Sequence, residues 1–542
     1  SRPAPVAVGG DMATMLAARQ REISVSEFFA KNRHLLGFDN PAKALLTTVR
    51  EAVDNALDAC EEADLLPQLH VELEQIREDR FRVIVEDNGP GIVRAQVPKI
   101  FGKLLYGSRF HTMKQSRGQQ GIGISAAGMY GLLTTGRPVV ITSRTGKRKA
   151  AHQFEVAINT KKNAPDILRD EQIEWEKPHG TRVEITLEGT YKKGRHSIDG
   201  YLKQVAVANP HAQIVYVPPV RKIADEEEAT AEPEPRVVYE RMTDRRPPEA
   251  KEIRPHPHGV ELGIFLKMLQ DTKARNLRGF LQTEFSRVGN KVIADLMREL
   301  AQEAPQITPK TSPKRIARHD AEVLHQALGR VKIMAPPTDC LSPIGEDLLQ
   351  RALESRVEAD FYATVTRPPS VYRGNPFQIE VGLAYGGKQP ADELAQLYRY
   401  ANRVPLQYQR GACAMTRAVT DLPWRNYKIS QARGALPTAP MVLAVHIASV
   451  WVPFTSESKE AVAHYPEIMR EIRLALQECG RRLAAHISKR RRIADEEKKR
   501  SYIAKYIPQI GIALQEILGL TDRQRDRTVT TLTDVLERSR KM

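Results

Sequence analysis

The sequence predicts an α+β protein that opens with a two-layer α/β sandwich and ends in a long helical tail. Three observations predict this class. Over residues 25–218, strand-like runs with alternating apolar positions, such as FRVIVEDNG and TRVEITL, are interleaved with helical runs. A second α/β stretch covers about 340–470, with strands at NPFQIEVGLAYG and APMVLAVHIASVWVPF. Helical patterns dominate between the two stretches and after the second.

In chain order, KALLTTVREAVDNALDACEEADLL reads as an amphipathic helix. Val49, Val53, Ala56, Leu57 and Cys60 form its apolar stripe, while Glu51, Asn55 and Asp58 share another face at i, i+4 and i+7. FRVIVEDNG is a strand stopped by Asn-Gly; SAAGMYGLLTT is a helix; PVVITSRT, HQFEVAI and TRVEITL are strands. Residues 221–258 carry six prolines and dense charge of both signs, so they read as a connection without a core. Residues 259–335 are helical, with Thr-Pro and Ser-Pro turns at 308–313. The resulting divisions are 1–220, 221–258, 259–335, 336–470 and a helical, cationic 471–542 that includes SKRRR at 488–492.

The chain of 542 residues is 41% apolar and carries a formal charge of +16, which points to a polyanionic partner. Its four cysteines, Cys60, Cys340, Cys413 and Cys479, are far apart and form no CxxC pair, so neither a disulfide framework nor a cysteine zinc site is expected. No apolar run is long enough to span a membrane, and SRPAPVAVGG does not read as a signal peptide, so a cytoplasmic location is expected.

Four blocks carry the chemistry. Glu51-x-x-x-Asn55 puts a carboxylate and an amide one helical turn apart. In VEDNGPGI a strand delivers Asp87, and the turn through Gly89 and Gly91 lets backbone approach a ligand. SRGQQGIGISAAGMYG leads glycines Gly118, Gly121 and Gly123 into a helix N-terminus, a natural phosphate site, with Arg117 adding charge. HGTRVEI brings Gly-Thr into a strand. Singly each is weak: most such carboxylate–amide pairs are solvated faces, Asn-Gly-Pro-Gly and His-Gly-Thr are ordinary turn sequences, and Asp58 has no evident task.

In this order the four blocks, within residues 45–190, resemble the GHKL ATPases: gyrase-type topoisomerases, heat-shock chaperones, MutL mismatch-repair proteins and histidine kinases. The resemblance implies the Bergerat-type fold, ATP and Mg²⁺. Glu51 would orient and deprotonate the attacking water, Asn55 would hold Mg²⁺, and Asp87 would read adenine. Gly89, Gly91 and Thr181 would complete the base side. Residues 102–120 would form the ATP lid, with Gly102, Lys103, Ser108 and Arg117 on the nucleotide. Gly118, Gln119, Gln120, Gly121, Ile122 and Gly123 would wrap the phosphates. Phosphoryl transfer needs charge neutralisation and a placed water more than covalent help, which this set supplies.

The details are similar to the B subunits of type IIB topoisomerases (topoisomerase VI). The likeness runs through SEFFAKNRHLLGFDNPAKALLTTVREAVDNALDA, GTYKKGRHSIDGYLKQVAVANPHAQI, RPHPHGVELG and VPFTSESKEAVAHYPEIMREIRLAL, about residues 25–500. It implies a helix-two-turns-helix insert at 259–335 and a ribosomal-S5-like transducer at 336–470. Lys459 in TSESKEAVA would touch the γ-phosphate; Lys428 is the other candidate. Lys192, Lys193 and Arg195 in YKKGRHS, with His196 replacing an arginine, would meet DNA. So would Trp424, Arg425 and Tyr427 in WRNYK, with Arg425 replacing a lysine, and the helical insert.

The resemblance further implies ATP-dependent homodimerisation through the N-terminal domains, with a strap formed by residues before about 35. An A subunit would make the double-strand break in an A₂B₂ heterotetramer, and the C-terminal helix would dock it. The assembly would relax supercoils and decatenate duplex DNA at the nucleoid of an archaeal or bacterial cell. Two alternatives stand beside it. Another GHKL ATPase, MutL-like or chaperone, is disfavoured for a chaperone by the basic charge. A non-catalytic DNA-binding scaffold is disfavoured by the intact Glu51, Asn55 and Asp87.

Overall fold

Eight strands build the first sheet of the computed structural model, which describes residue 16 and residues 23–107, 112–118, 121–194, 196–219 and 236–538. Ser108, Gln119, Gln120, Arg195 and most of the expected strap lie outside the described residues. The strands are β1 (Gln68–Arg77), β2 (Arg80–Glu86), β3 (Val139–Arg144), β4 (Ala151–Asn159), β5 (Ala164–Ile173), β6 (Gly180–Glu188), β7 (Gln213–Val217) and β8 (Val237–Tyr239). They run in the order β5-β4-β3-β6-β2-β1-β7-β8, antiparallel except for the β1–β7 pair. The charged Pro-rich connection is thus more than a tether, because its Val237–Tyr239 stretch pairs with β7.

A layer of helices packs on this sheet: α1 (Val25–Lys31), α2 (Pro41–Glu62), α3 (Val97–Gly102), α4 (Gly123–Thr135) and α5 (Ile198–Ala208). Helix α2 starts sharply because Asn40 caps the Lys43 N–H at 2.9 Å and Pro41 occupies the first turn. Its stripe of Leu45, Val49, Val53, Ala56, Leu57 and Cys60 is buried, which turns the Glu51 face towards a cavity. Helix α4 ends on Gly136, which adopts a left-handed conformation with φ 69°.

The next block is helical: α6 (Leu262–Asp271), α7 (Leu277–Glu284), α8 (Asn290–Glu303) and α9 (Arg318–Arg330). Phe265, Phe280 and Phe285 form its centre, with ring centroids 5.6–6.2 Å apart. After α10 (Glu346–Arg356) comes a six-stranded sheet: β9 (Phe361–Thr366), β10 (Ser370–Tyr372), β11 (Asn375–Tyr385), β12 (Gln396–Ala401), β13 (Val404–Pro405) and, beyond α11 (Ala414–Asp421) and the small hairpin β14 (Ser430–Gln431) and β15 (Pro437–Thr438), β16 (Met441–Ser449). Its order is β10-β11-β16-β12-β13, with β9 also on β11.

Helix α12 (Pro466–Leu518) crosses this sheet and then leaves it. Ile468, Ile472, Ala475, Leu476, Cys479 and Leu483 are buried at helical spacing, whereas Tyr502, Ile503, Tyr506 and Ile510 are exposed. Helix α13 (Asp522–Arg538) folds back so that Val529 packs where Gly511 leaves room. Among the described residues no helix is long and apolar enough to cross a membrane.

The two sheet units are joined at the lid. The Gln115 side-chain amide brackets Ser342, accepting from its N–H at 2.6 Å and donating to its carbonyl at 3.0 Å. Asn402, itself held by both backbone groups of Ser449, donates to the Ser116 carbonyl at 3.0 Å. The second half of the lid is therefore fastened to the second sheet.

Candidate functional site

A cavity of about 330 Å³ opens between α2, the end of β2, the lid and a loop of the second sheet unit. Its lining brings together Glu51, Asn55, Asp87, Gly91, Gly118, Gly121, Ile122, Gly123, Thr181 and Lys459. These positions span more than four hundred residues of sequence, and only the fold gathers them.

Asp87 forms the floor. Its Oδ1 accepts from the N–H groups of Gly89 at 2.7 Å and Thr181 at 3.2 Å. Oδ2 takes neither of these bonds and remains an acceptor. Burial pushes the carboxyl up to about 6, against the two backbone donors that favour its ionised form. The turn beside it must be glycine at Gly91: φ is 73°, and a Cβ would sit 2.1 Å from the Arg144 carbonyl oxygen. Asn88 is structural; its side chain accepts from the Gln68 N–H at 2.8 Å and donates to the Leu66 carbonyl at 3.1 Å.

Glu51 is half-buried, with Oε1 3.0 Å from the Arg50 guanidinium. Its Oε2 lies against Gly123, where any Cβ would come within 1.7 Å. Asn55, one turn on, is exposed at the cavity. The structure adds Asp54 to the set. It lines a side cavity of about 50 Å³ with Arg50, Glu51, Arg117 and Lys459, and accepts from the Tyr201 hydroxyl at 3.4 Å. Burial and the neighbouring Glu51 carboxylate push Asp54 up to about 7. Its i+3 spacing from Glu51 is the only signal of it in the sequence.

Lys459 stands at the cavity on a loop closed by its own N–H to the Ser456 carbonyl at 3.1 Å. Burial lowers the ammonium's pKa, with Glu51 pulling the other way. Among the described residues the ammonium has no hydrogen-bond partner. Lys428, the other candidate, reaches Ser488 on α12 instead.

Several expectations need correction. Arg117 does not face the phosphates. It is 4% exposed, and its terminal nitrogens bind Asp58 at 2.7 Å, Glu61 at 2.7 and 2.8 Å and Asn209 at 2.6 Å, so two carboxylates already neutralise it. Asp58, which had no evident task in the sequence, is buried and paired with Arg117. Gly102 and Lys103 are not at the cavity: Gly102 packs on Pro165 and Val156, and Lys103 is exposed. Trp424 cannot meet DNA, because it is fully buried and its indole N–H donates to the Val419 carbonyl at 2.9 Å. Tyr427 packs its ring on Gly480 of α12. Arg425, Lys192 and Lys193 are exposed.

The cavity suits a nucleotide on three counts: an open carboxylate acceptor on its floor, glycines at 91 and 123 where a Cβ would clash, and a half-buried cation with no hydrogen-bond partner among the described residues at the far side. A Mg²⁺ ion fits as well, because it binds with few protein oxygens beside phosphate and water, and Asn55 offers one.

Residues 40–190 match the family of histidine kinase-, DNA gyrase B- and HSP90-like ATPases, and residues 336–499 match the topoisomerase VI B subunit transducer. The chain is 48% identical over 508 residues to the type 2 DNA topoisomerase 6 B subunit of Methanosarcina barkeri, covering 94% of this chain and 79% of that one. Identity to the protein of the same name in Methanosarcina mazei is 49% over 508 residues, with the same coverage. In Archaeoglobus fulgidus it is 46% over 518 residues, covering 95% and 83%.

Proposed function

The chain belongs to the family of type 2 DNA topoisomerase 6 B subunits, and from that premise we propose how its residues turn ATP into a moving gate for DNA. It is the ATP-binding subunit of an ATP-dependent type II topoisomerase. Asp87 accepts from the adenine amine through Oδ2. Gly123, at the start of α4, and Gly121 just before it direct N–H groups at the phosphates, while the Gly118 N–H is turned to Asp58 at 3.4 Å. The Asn55 side-chain oxygen would hold Mg²⁺, which would supply charge neutralisation when bound. Glu51, oriented by Arg50, positions a water and takes its proton. Lys459 places a point charge on the γ-phosphate. That charge gives the two sheet units a different contact with ATP than with ADP, and only such a difference can drive closure.

The observation that carries this reading is the presence of Lys459, from the second sheet unit, in the same cavity as Glu51, Asn55 and Asp87 from the first. We further propose that residues 1–220 form the strap and ATPase domain, 221–258 a connection, 259–335 the helix-two-turns-helix domain, 336–470 the transducer and 471–542 the stalk that docks an A subunit. Two copies join through their N-terminal domains when ATP binds, within an A₂B₂ assembly acting on chromosomal DNA in a prokaryotic cell. Exposed Lys192, Lys193 and Arg425 contact duplex phosphates.

Lys459→Ala should bind nucleotide like the parent chain and lose most ATP turnover. Wild-type turnover would remove Lys459 from this role. Supercoil relaxation should require both this chain with ATP and a candidate A subunit; relaxation by this chain alone would contradict the division of labour.

A further inference from the structure

We propose that Glu460 and Lys43 are positioning residues for ATP hydrolysis, their buried ion pair holding the Lys459 loop against the helix that carries Glu51 and Asn55. The proposal rests on the reading of Lys459 as the γ-phosphate contact and adds what aims it.

The loop needs an external hold. Lys459 has a left-handed backbone, φ 53°, a conformation that a non-glycine residue keeps only where its surroundings impose it. The local bonds, Thr455 N–H to the Ala461 carbonyl at 2.9 Å and Ala463 N–H to the Pro453 carbonyl at 2.7 Å, close the loop on itself. They do not orient it towards α2.

The next residue does. Glu460 is 2% exposed, and its Oε1 lies 2.7 Å from the Lys43 ammonium, which is 12% exposed. Lys43 is itself fixed from three sides. Its N–H is bound by the Asn40 cap, its ammonium lies 2.9 Å from Asp39, and the Tyr408 ring centroid is 5.2 Å away. Lys43 sits in the first turn of α2 and Glu51 eight residues further along, about 12 Å on the same rod. One rigid helix therefore carries the base, the metal ligand and the anchor of the opposing lysine.

The pair is also costly to break. The second Glu460 oxygen, Oε2, is buried without a hydrogen-bond partner among the described residues. Lys43 is thus the group that compensates this carboxylate, and removing it leaves a buried charge unmatched. The loop would then shift to hydrate Glu460 and carry Lys459 with it.

The test measures steady-state ATP turnover by the full chain with duplex DNA. Glu460→Gln, which keeps shape and removes charge, should lower kcat about tenfold, since about 1 Å of misplacement can cost about 100-fold. The KM for ATP should stay within about twofold of the parent value, because binding energy shared by ground and transition states is untouched. Lys43→Met should act alike, and it reports on the same pair should Glu460→Gln fail to fold. Lys43→Arg, which keeps the cation, should retain most activity. Adding Glu460→Gln to Lys459→Ala should change nothing further, because both act through one ammonium. Parental kcat in Glu460→Gln, or an additive loss in the Lys459→Ala background, would overturn the proposal while leaving Lys459 in place. Parental kcat in Lys459→Ala would instead remove the reading beneath it, and the proposal with it.

Discussion

Gly123→Ala should separate folding from catalysis. The added Cβ would lie 1.7 Å from Glu51 Oε2, 2.4 Å from Cδ and 3.0 Å from Cγ. Ordinary contact needs roughly 3.5 Å, so the carboxylate end must retreat by about 1.5–2 Å. Glu51 can do so without unfolding anything, because it is half-buried and ends in freely rotating bonds. Position 123 opens α4 and has no left-handed φ, so alanine suits the backbone and can add up to about 1 kcal/mol of helix stability. Displacement of a catalytic group by about 1 Å costs about 100-fold, or about 2.7 kcal/mol. Turnover should therefore fall at least about 100-fold, while the melting temperature holds or rises. ATP turnover, ADP titration calorimetry and a thermal melt on one preparation would check this. A kcat within about threefold of the parent would refute the placement of Glu51 beside Gly123 as the base.

If Asp87 reads adenine as proposed, its carboxyl, pushed up to about 6 by burial, accepts from the amine best when ionised, so ADP affinity should be level at neutral pH and drop as pH falls through that value; Asp87→Asn should weaken binding and abolish the dependence. Arg117→Met strips the cation from two carboxylates and should cost about 3–5 kcal/mol in urea unfolding. Burial would raise the Glu61 carboxyl, but the Arg117 charge holds it well below 4.5. Its contribution is thus present above that value and lost as pH falls below it, and the gap between parent and Arg117→Met should narrow in acid. Trp424→Ala should cost about 3–5 kcal/mol of stability with an unchanged salt slope for DNA binding, whereas Arg425→Ala should leave stability alone and flatten the slope by about one.

The nucleotide face was legible because its chemistry is local. Glu51 and Asn55 are one helical turn apart, Asp87 ends a strand with a clear alternation, and the glycines before Ile124 precede a helix. The partners of Arg117 were not legible, since Asp58, Glu61 and Asn209 come from two helices and only tertiary packing unites them. A charge beside glycines reads as a phosphate ligand until its neutralising carboxylates are seen. Trp424 misled for a related reason: cationic neighbours such as Arg425 sit at the surface while the indole between them fills the core. Strand Ala164–Ile173 was hidden by its composition. It is an edge strand, mostly exposed, and APDILRDEQI shows no apolar alternation. Val237–Tyr239 is a three-residue strand set among prolines and charges, too short to register as a period.

The Gln115 and Asn402 bonds make the roof of the nucleotide chamber a cantilever extending from the second sheet. Whatever pins that roof also restrains the root of the 53-residue helix that crosses the same sheet. At about 1.5 Å per residue the helix is a lever about 80 Å long, so a tilt of about 5° at its base would sweep its tip by about 7 Å. Such a lever would turn a ligand change of atomic size into a stroke approaching the radius of a DNA duplex.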